Sequence, residues 1–193
     1  MTFDLRTIER CKIFPRNCDG RDLFVGDIHG EVGALRSALL ALNFDYSKDR
    51  LFATGDLIDR GEDSLQTVML LTEHWFHSVV GNHEQLLLDY ADNSVLRQFK
   101  WYQNGGSWWE QVSESDRNRV IEILASKLPL TIEVVVGNSR IGIVHADIPE
   151  NIEWKSVVSS DTVCTQEELL YCLWSRNLTK TLKPRSILGL DYL

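Results

Sequence analysis

Residues 22–30 read Asp-Leu-Phe-Val-Gly-Asp-Ile-His-Gly: four strand-like residues, then a turn rich in glycine and aspartate. The segment after them, EVGALRSALLAL (31–42), places Val32, Leu35, Leu39 and Leu42 on one face at helical spacing. The same order returns twice. RLFAT (50–54) leads into GDLIDRG (55–61) and then SLQTVMLLTE (64–73). FHSVV (76–80) leads into GNHE (81–84) and then QLLLDYA (85–91). Strand, turn and helix repeated in this way specify an α/β fold.

The second half of the chain changes character. Residues 94–112 read as irregular and aromatic, with Trp101, Tyr102, Trp108 and Trp109 around Asn104, Gly105 and Gly106. A helix is expected over Ser115–Lys127, capped by Ser115 or Asp116. LTIEVVV (130–136) and RIGIVHA (140–146) read as strands, and Gly137, Asn138 and Ser139 between them are a hairpin turn signal. Thr165 and Glu168 form a capping box that opens a helix carrying Leu169, Leu170 and Leu173. Antiparallel pattern beside strand–turn–helix units predicts a β-sandwich of mixed sheets flanked by helices, in α-β-β-α layers. One domain is expected over residues 1–193.

Composition narrows the classes of function. A chain of 193 residues buries a core without a disulfide or metal staple. Its net charge of −8 leaves no general basic face for nucleic acid, yet clustered carboxylates suit a metal ion. No apolar run approaches the roughly 18 residues of a membrane span. The start, MTFDLRTIERCKIF, has no signal-peptide core. No nucleic-acid or membrane partner is expected, and the expected compartment is cytoplasmic. Cys11, Cys18, Cys164 and Cys172 form no C-x-x-C pair, so free thiols without a catalytic part are expected.

The polar residues are placed tellingly. Asp27, His29, Asp56, Asn82, His83 and His145 each lie just past an apolar strand-like run. In α/β folds ligands bind beyond the carboxyl ends of strands, so separate loops deliver these groups to one edge. Carboxylate oxygen and imidazole nitrogen without thiolate favour Mn²⁺, Fe or Zn²⁺. Asp27 and His29 are two apart, so an extended loop points both side chains the same way. Asp56 is the candidate bridge between two ions, and such a pair clamps a phosphoryl group. A single aspartate after a strand would ordinarily be a helix N-cap, but the set of loops together outweighs that reading. His74 and His77 flank Trp75 and Phe76 outside these motifs and read as surface or packing residues.

GDIHG (26–30), GDLIDRG (55–61) and GNHE (81–84) resemble the signature of the metal-dependent serine/threonine phosphoprotein phosphatases. These belong to the calcineurin-like metallophosphoesterase superfamily, and the finer resemblance is to the bacterial and bacteriophage lambda-type enzymes. Asn104-Gly105-Gly106, Leu128-Pro129-Leu130, HAD (145–147) and WSR (174–176) support it. The resemblance runs from about residue 20 to about 180. It implies two divalent metal ions, manganese first. Asp27 and His29 would bind one, Asp56 both, and Asn82 and His145 the other. Arg60 and Arg176 would hold phosphate oxygens, since a guanidinium fork suits that task. His83 would be the general acid, Asp59 its partner, and Glu84 a support behind the ligands. The implied reaction is hydrolysis of phosphoserine and phosphothreonine monoesters on proteins, by direct attack of a metal-bridging hydroxide.

The family pattern also carries a late histidine in a Gly-His-Thr-like motif, followed by final strands. The five histidines here are His29, His74, His77, His83 and His145, and the chain ends KPRSILGLDYL. The expectations are missing C-terminal strands, a weaker second metal site and a sheet edge open to pairing with another chain. Two other readings accompany the first: a dinucleoside-polyphosphate or phosphodiester hydrolase of the same superfamily, and a catalytically impaired relic.

Overall fold

The computed structural model of the protein describes residues 4–90 and 95–177. The expectation that the last strands are missing concerns the end of the chain, where residues 178–193 lie outside the described residues.

Two three-stranded sheets stack face to face. One holds β2 (Asp22–Val25), β3 (Arg50–Ala53) and β4 (Phe76–Ser78), all parallel and in sequence order. Parallel neighbours need crossovers, and the helices α1 (Val32–Ala41) and α2 (Ser64–Met69) supply them. The other sheet has the order β1 (Cys11–Phe14), β5 (Thr131–Val136), β6 (Ser139–Ile143). There β1 runs parallel to β5, and β5 and β6 form the antiparallel hairpin that the sequence predicts.

Period-2 alternation divides the core. Phe52 faces the opposite sheet and packs with Phe14, Val79, Ile132, Val134 and Ile143. Its neighbours Leu51 and Ala53 face the other way, into the helical layer with Val32, Leu35, Leu39 and Val68. On the far side of the second sheet, α6 (Trp154–Val158) sets Trp154 over β5, where its Nε1 donates to Glu133 Oε1 at 2.7 Å. The expected sandwich of mixed sheets flanked by helices is thus the observed fold. Among the described residues no helix is long and apolar enough to cross a membrane.

Several local expectations change. The segment read as irregular is a helix, α4 (Val95–Gln103), followed by a 3-10 helix over Gly106–Gln111. Aromatic residues are poor helix formers, and tertiary packing of Trp101 and Trp109, both buried, overrides that tendency. Ser113, not Ser115 or Asp116, caps α5 (Glu114–Lys127), its side chain accepting from the Asp116 backbone N–H. The capping box of α7 (Gln166–Trp174) forms as expected, between Thr165 and Glu168. All four cysteines are free. Burial pushes the Cys172 thiol up to about 12, which makes it inert. His77 is a packing residue, its ring 4.3 Å from Phe14 and 5.3 Å from Phe52, and burial lowers it to about 4.

One ion pair ties the loop after α1 to the start of β2. Asp49, buried, accepts from the Arg21 guanidinium at 2.6 Å and from the backbone N–H groups of Arg21 and Asp45. The Arg21 side chain is the main reason that its carboxyl is held well below the usual range, against the effect of burial. Asp49→Asn is expected to destabilise the fold by roughly 1–3 kcal/mol at pH 7. A lowered folded value means stability present above the unfolded value and lost on acidification. The gap between variant and wild type therefore narrows below about pH 4. Urea unfolding at pH 7 and pH 3 measures both.

Candidate active site

The loops after β2, β3, β4 and β6 meet at one edge of the sandwich, with Asp56 at the centre and almost fully buried. Its Oδ2 lies 3.7 Å from His29 Nε2 and 3.8 Å from His83 Nε2. Its Oδ1 lies 3.6 Å from His145 Nε2. The candidate ligand atoms of His29, Asp56 and His83 all fall within 4.8 Å of one another, as do those of Asp27, Asp56 and His145. Asn82, the first residue of α3 (Asn82–Tyr90), joins the second group with Oδ1 2.9 Å from His145 Nε2.

Asp27 thus lies with Asp56 and His145, and His29, two residues on in the same loop, with Asp56 and His83. The loop is not extended: His29 has a left-handed φ of 45°. Asp56, Asp59 and Arg60 are left-handed too, with φ of 49°, 73° and 71°. Such residues cost roughly 1–3 kcal/mol each and gather where a site is held in place by its surroundings.

Hydrogen-bond roles show that this donor set fits a cation. A carbonyl only accepts, so His145 Nδ1 must donate to Thr54 O at 2.7 Å. Neutral His145 then turns the lone pair of Nε2 toward Asn82 Oδ1 and Asp56 Oδ1. Acceptor groups converge on Nε2, an arrangement that a metal ion reconciles. His29 is fixed the same way, Nδ1 donating to Ile58 O at 2.8 Å and leaving Nε2 to accept. Here the cation is a guanidinium: Arg60 Nη1 donates to His29 Nε2 at 2.8 Å and Nη2 to His83 Nε2 at 2.9 Å. The residues present therefore fit divalent metal ions of the hard and borderline kind.

Behind the ligands stands Glu84, fully buried. Its Oε2 accepts from the backbone N–H groups of Asp56 and Gly81, and its Oε1 from those of Leu57 and Ile58. Glu84 thus pins the loop after β3 to the start of α3. Gly81 lets the two approach, because a Cβ there would collide with Asp56. Burial pushes Glu84 up to about 7 and the Asp56 charge adds to it, while the backbone donors pull back. Glu84→Ala strands these donors and is expected to cost more than roughly 3 kcal/mol of unfolding free energy. Denaturant unfolding followed by circular dichroism checks this, and a loss below 1 kcal/mol contradicts it.

His83 is buried, and Nδ1 donates to Asp59 Oδ2 at 2.6 Å. Burial disfavours charge on His83, but the Asp59 hydrogen bond and the Asp56 and Asp59 charges outweigh it. The imidazole therefore sits above its ordinary value. Asp27, Asp56, Arg60, Asn82, His145 and Arg176 line one cleft of about 330 Å³, with Asn104 on its wall. Arg176, just past α7, is exposed at its rim. All ten residues singled out in the sequence are thus at this edge or directly behind it. Trp101 and Trp108 are additions. Their indoles donate to Asp59 at 2.7 Å from 42 and 49 residues away, and no spacing in the sequence marks that contact.

The calcineurin-like phosphoesterase family matches residues 21–189 of the chain. A serine/threonine-protein phosphatase 2 from Salmonella typhimurium is 42% identical over 156 residues, covering 79% of this chain and 66% of that protein. A symmetrical bis(5'-nucleosyl)-tetraphosphatase from Ectopseudomonas mendocina is 30% identical over 148 residues, covering 76% of this chain and 51% of that one. The chain thus spans a half to two thirds of the length of these relatives. In three dimensions, a protein serine/threonine phosphatase from Saccharomyces cerevisiae superposes with TM-score 0.63 at 18% identity. That match covers 88% of this chain and 54% of that one, and shows a shared fold.

Proposed function

The chain belongs to the calcineurin-like phosphoesterase family, and from that premise we propose that it hydrolyses phosphoserine and phosphothreonine monoesters on proteins. The observation that carries this reading is the buried His83–Asp59 pair at 2.6 Å, set against the carboxylate, imidazole and amide cluster around Asp56. Asp27, His29, Asp56, Asn82 and His145 would hold two divalent ions, manganese first, with Fe or Zn²⁺ as alternatives. Bound there, the ions supply Lewis-acid polarisation of the phosphoryl group and an activated water.

The remaining work falls to this chain's own groups. Arg60 and Arg176 grip the phosphate oxygens, giving charge and a fixed orientation. Arg60 leaves the two imidazoles to do so. Nδ1 of His83 is committed to Asp59, so the transferable proton sits on Nε2, which faces the metal-ligand side. As the bond from phosphorus to the serine oxygen breaks, that proton goes to the leaving oxygen. Water supplies the new oxygen on phosphorus, and the products are the free hydroxyl and inorganic phosphate. A second hollow of about 730 Å³ adjoins the cleft through Trp174, Ser175 and Arg176 and gives room for flanking peptide. The free cysteines suit a reducing compartment such as the cytoplasm.

The tetraphosphatase relative favours a second reading, cleavage of a dinucleoside polyphosphate. Phosphate release from a phosphoserine peptide and from diadenosine tetraphosphate, both with Mn²⁺, separates the two. Faster turnover of the peptide is expected. Turnover of the dinucleotide alone supports the second reading, and turnover of neither, by folded protein, supports a relic.

A further inference from the structure

We infer that the indoles of Trp101 and Trp108 are positioning residues for proton transfer, acting on His83 through the carboxylate of Asp59. This rests on the reading of His83 as general acid. Asp59 is fully buried, and its carboxylate accepts from one imidazole and two indoles. Its Oδ2 is shared between His83 Nδ1 at 2.6 Å and Trp101 Nε1 at 2.7 Å. Its Oδ1 takes Trp108 Nε1 at 2.7 Å. One neutral donor on each oxygen fixes the plane of the carboxylate, so that Oδ2 meets His83 in line. An indole N–H donates only and exchanges no proton in the working range. It steadies a buried carboxylate without cancelling its charge, as a guanidinium would. The full charge is then left to orient the imidazole and support its protonated form.

The surroundings hold both indoles in that pose. Trp101, Trp108 and Trp109 meet edge to face, with centroids 5.3 to 6.4 Å apart, and Tyr90 closes on Trp101 at 5.0 Å. Gly106 lies flat on Trp101, where a Cβ would come within 2.5 Å of the ring. Gly105 sits against Arg60, where a Cβ would come within 2.8 Å of its backbone nitrogen. The Asn104-Gly105-Gly106 turn therefore couples the indole layer to the arginine of the cleft.

The test uses Trp101→Phe and Trp108→Phe, which keep an aromatic ring and remove the donor. Each is assayed beside His83→Gln on a phosphoserine peptide and on p-nitrophenyl phosphate, whose leaving group needs no proton. Each tryptophan variant is expected to lose on the order of ten-fold in kcat on the peptide. The loss on the aryl ester is expected to be several-fold smaller. Equal losses on both substrates, or none, overturn the inference and leave the indoles as packing. If His83→Gln itself shows no difference between substrates, the reading of His83 has failed instead. A second readout is independent of turnover. In the ¹⁵N spectrum of the protein, two indole N–H signals are expected downfield, and both should move in Asp59→Asn. Indole signals indifferent to that substitution also overturn the inference.

Discussion

Asp56→Asn is expected to leave the protein folded and to abolish its metal response. Asparagine is one of the few residues that accepts the left-handed φ of 49° at this position. Its amide oxygen can still accept from the His83 backbone N–H, as Asp56 Oδ1 does at 3.0 Å. What disappears is the charge that both ligand groups share. Saturation of the wild type with Mn²⁺ at 100 times its Kd should add about 2.7 kcal/mol of stability. The variant should gain almost none at the same concentration. Lewis-acid stabilisation is worth several kcal/mol, so phosphatase activity should fall by roughly 10³-fold or more. Thermal unfolding with and without Mn²⁺ reads the first effect and phosphate release the second. A variant that still gains stability from Mn²⁺ removes Asp56 from the centre of the site.

The second large effect belongs to His83. His83→Gln should lower turnover of a phosphoserine peptide by about 10²–10⁴-fold, the usual worth of a positioned acid. Serine is a poor leaving group that must be protonated as it departs; nitrophenolate leaves on its own. The loss on p-nitrophenyl phosphate should therefore be much smaller. The pH profile carries the same signature. Burial opposes charge on His83, but Asp59 and Asp56 prevail, so the acid form persists above the ordinary histidine value near 6.5. Wild-type turnover of the peptide should accordingly fall on the alkaline side of about pH 6.5, as the proton is lost. The variant should lack that limb. An identical alkaline limb in both proteins would show that another group sets it.

Much of this site is legible in the sequence because of where the fold puts its loops. Asp27, Asp56, Asn82 and His145 each follow an apolar run, and the carboxyl ends of the parallel strands do converge. Glu84 could equally be read as an acid favoured at a helix start, since only tertiary structure reveals the backbone groups it accepts from. A spacing of two sets side chains on one side only in extended backbone, and His29 sits in a left-handed turn, so the spacing by itself does not fix where its imidazole points. β1 escapes the pattern because CKIF alternates over four residues only, and its partner β5 lies more than a hundred residues away. The helix α4 is hidden by aromatic residues of low helical propensity, and the indole contacts to Asp59 by distance along the chain. Cavity shape decides the rest: nothing in Trp-Ser-Arg at 174–176 says that Arg176 lines the same cleft as Asp56.

The most direct test of the whole account is metal dependence on the proposed substrate. Chelator-treated protein, freed of chelator, is assayed for phosphate release from a phosphoserine peptide across a Mn²⁺ titration, with Asp56→Asn in parallel. The account predicts negligible release without metal, a saturable rise with Mn²⁺ in the wild type, and no rise in the variant. Full activity in the chelated protein, or the same Mn²⁺-dependent rise in Asp56→Asn, would contradict it.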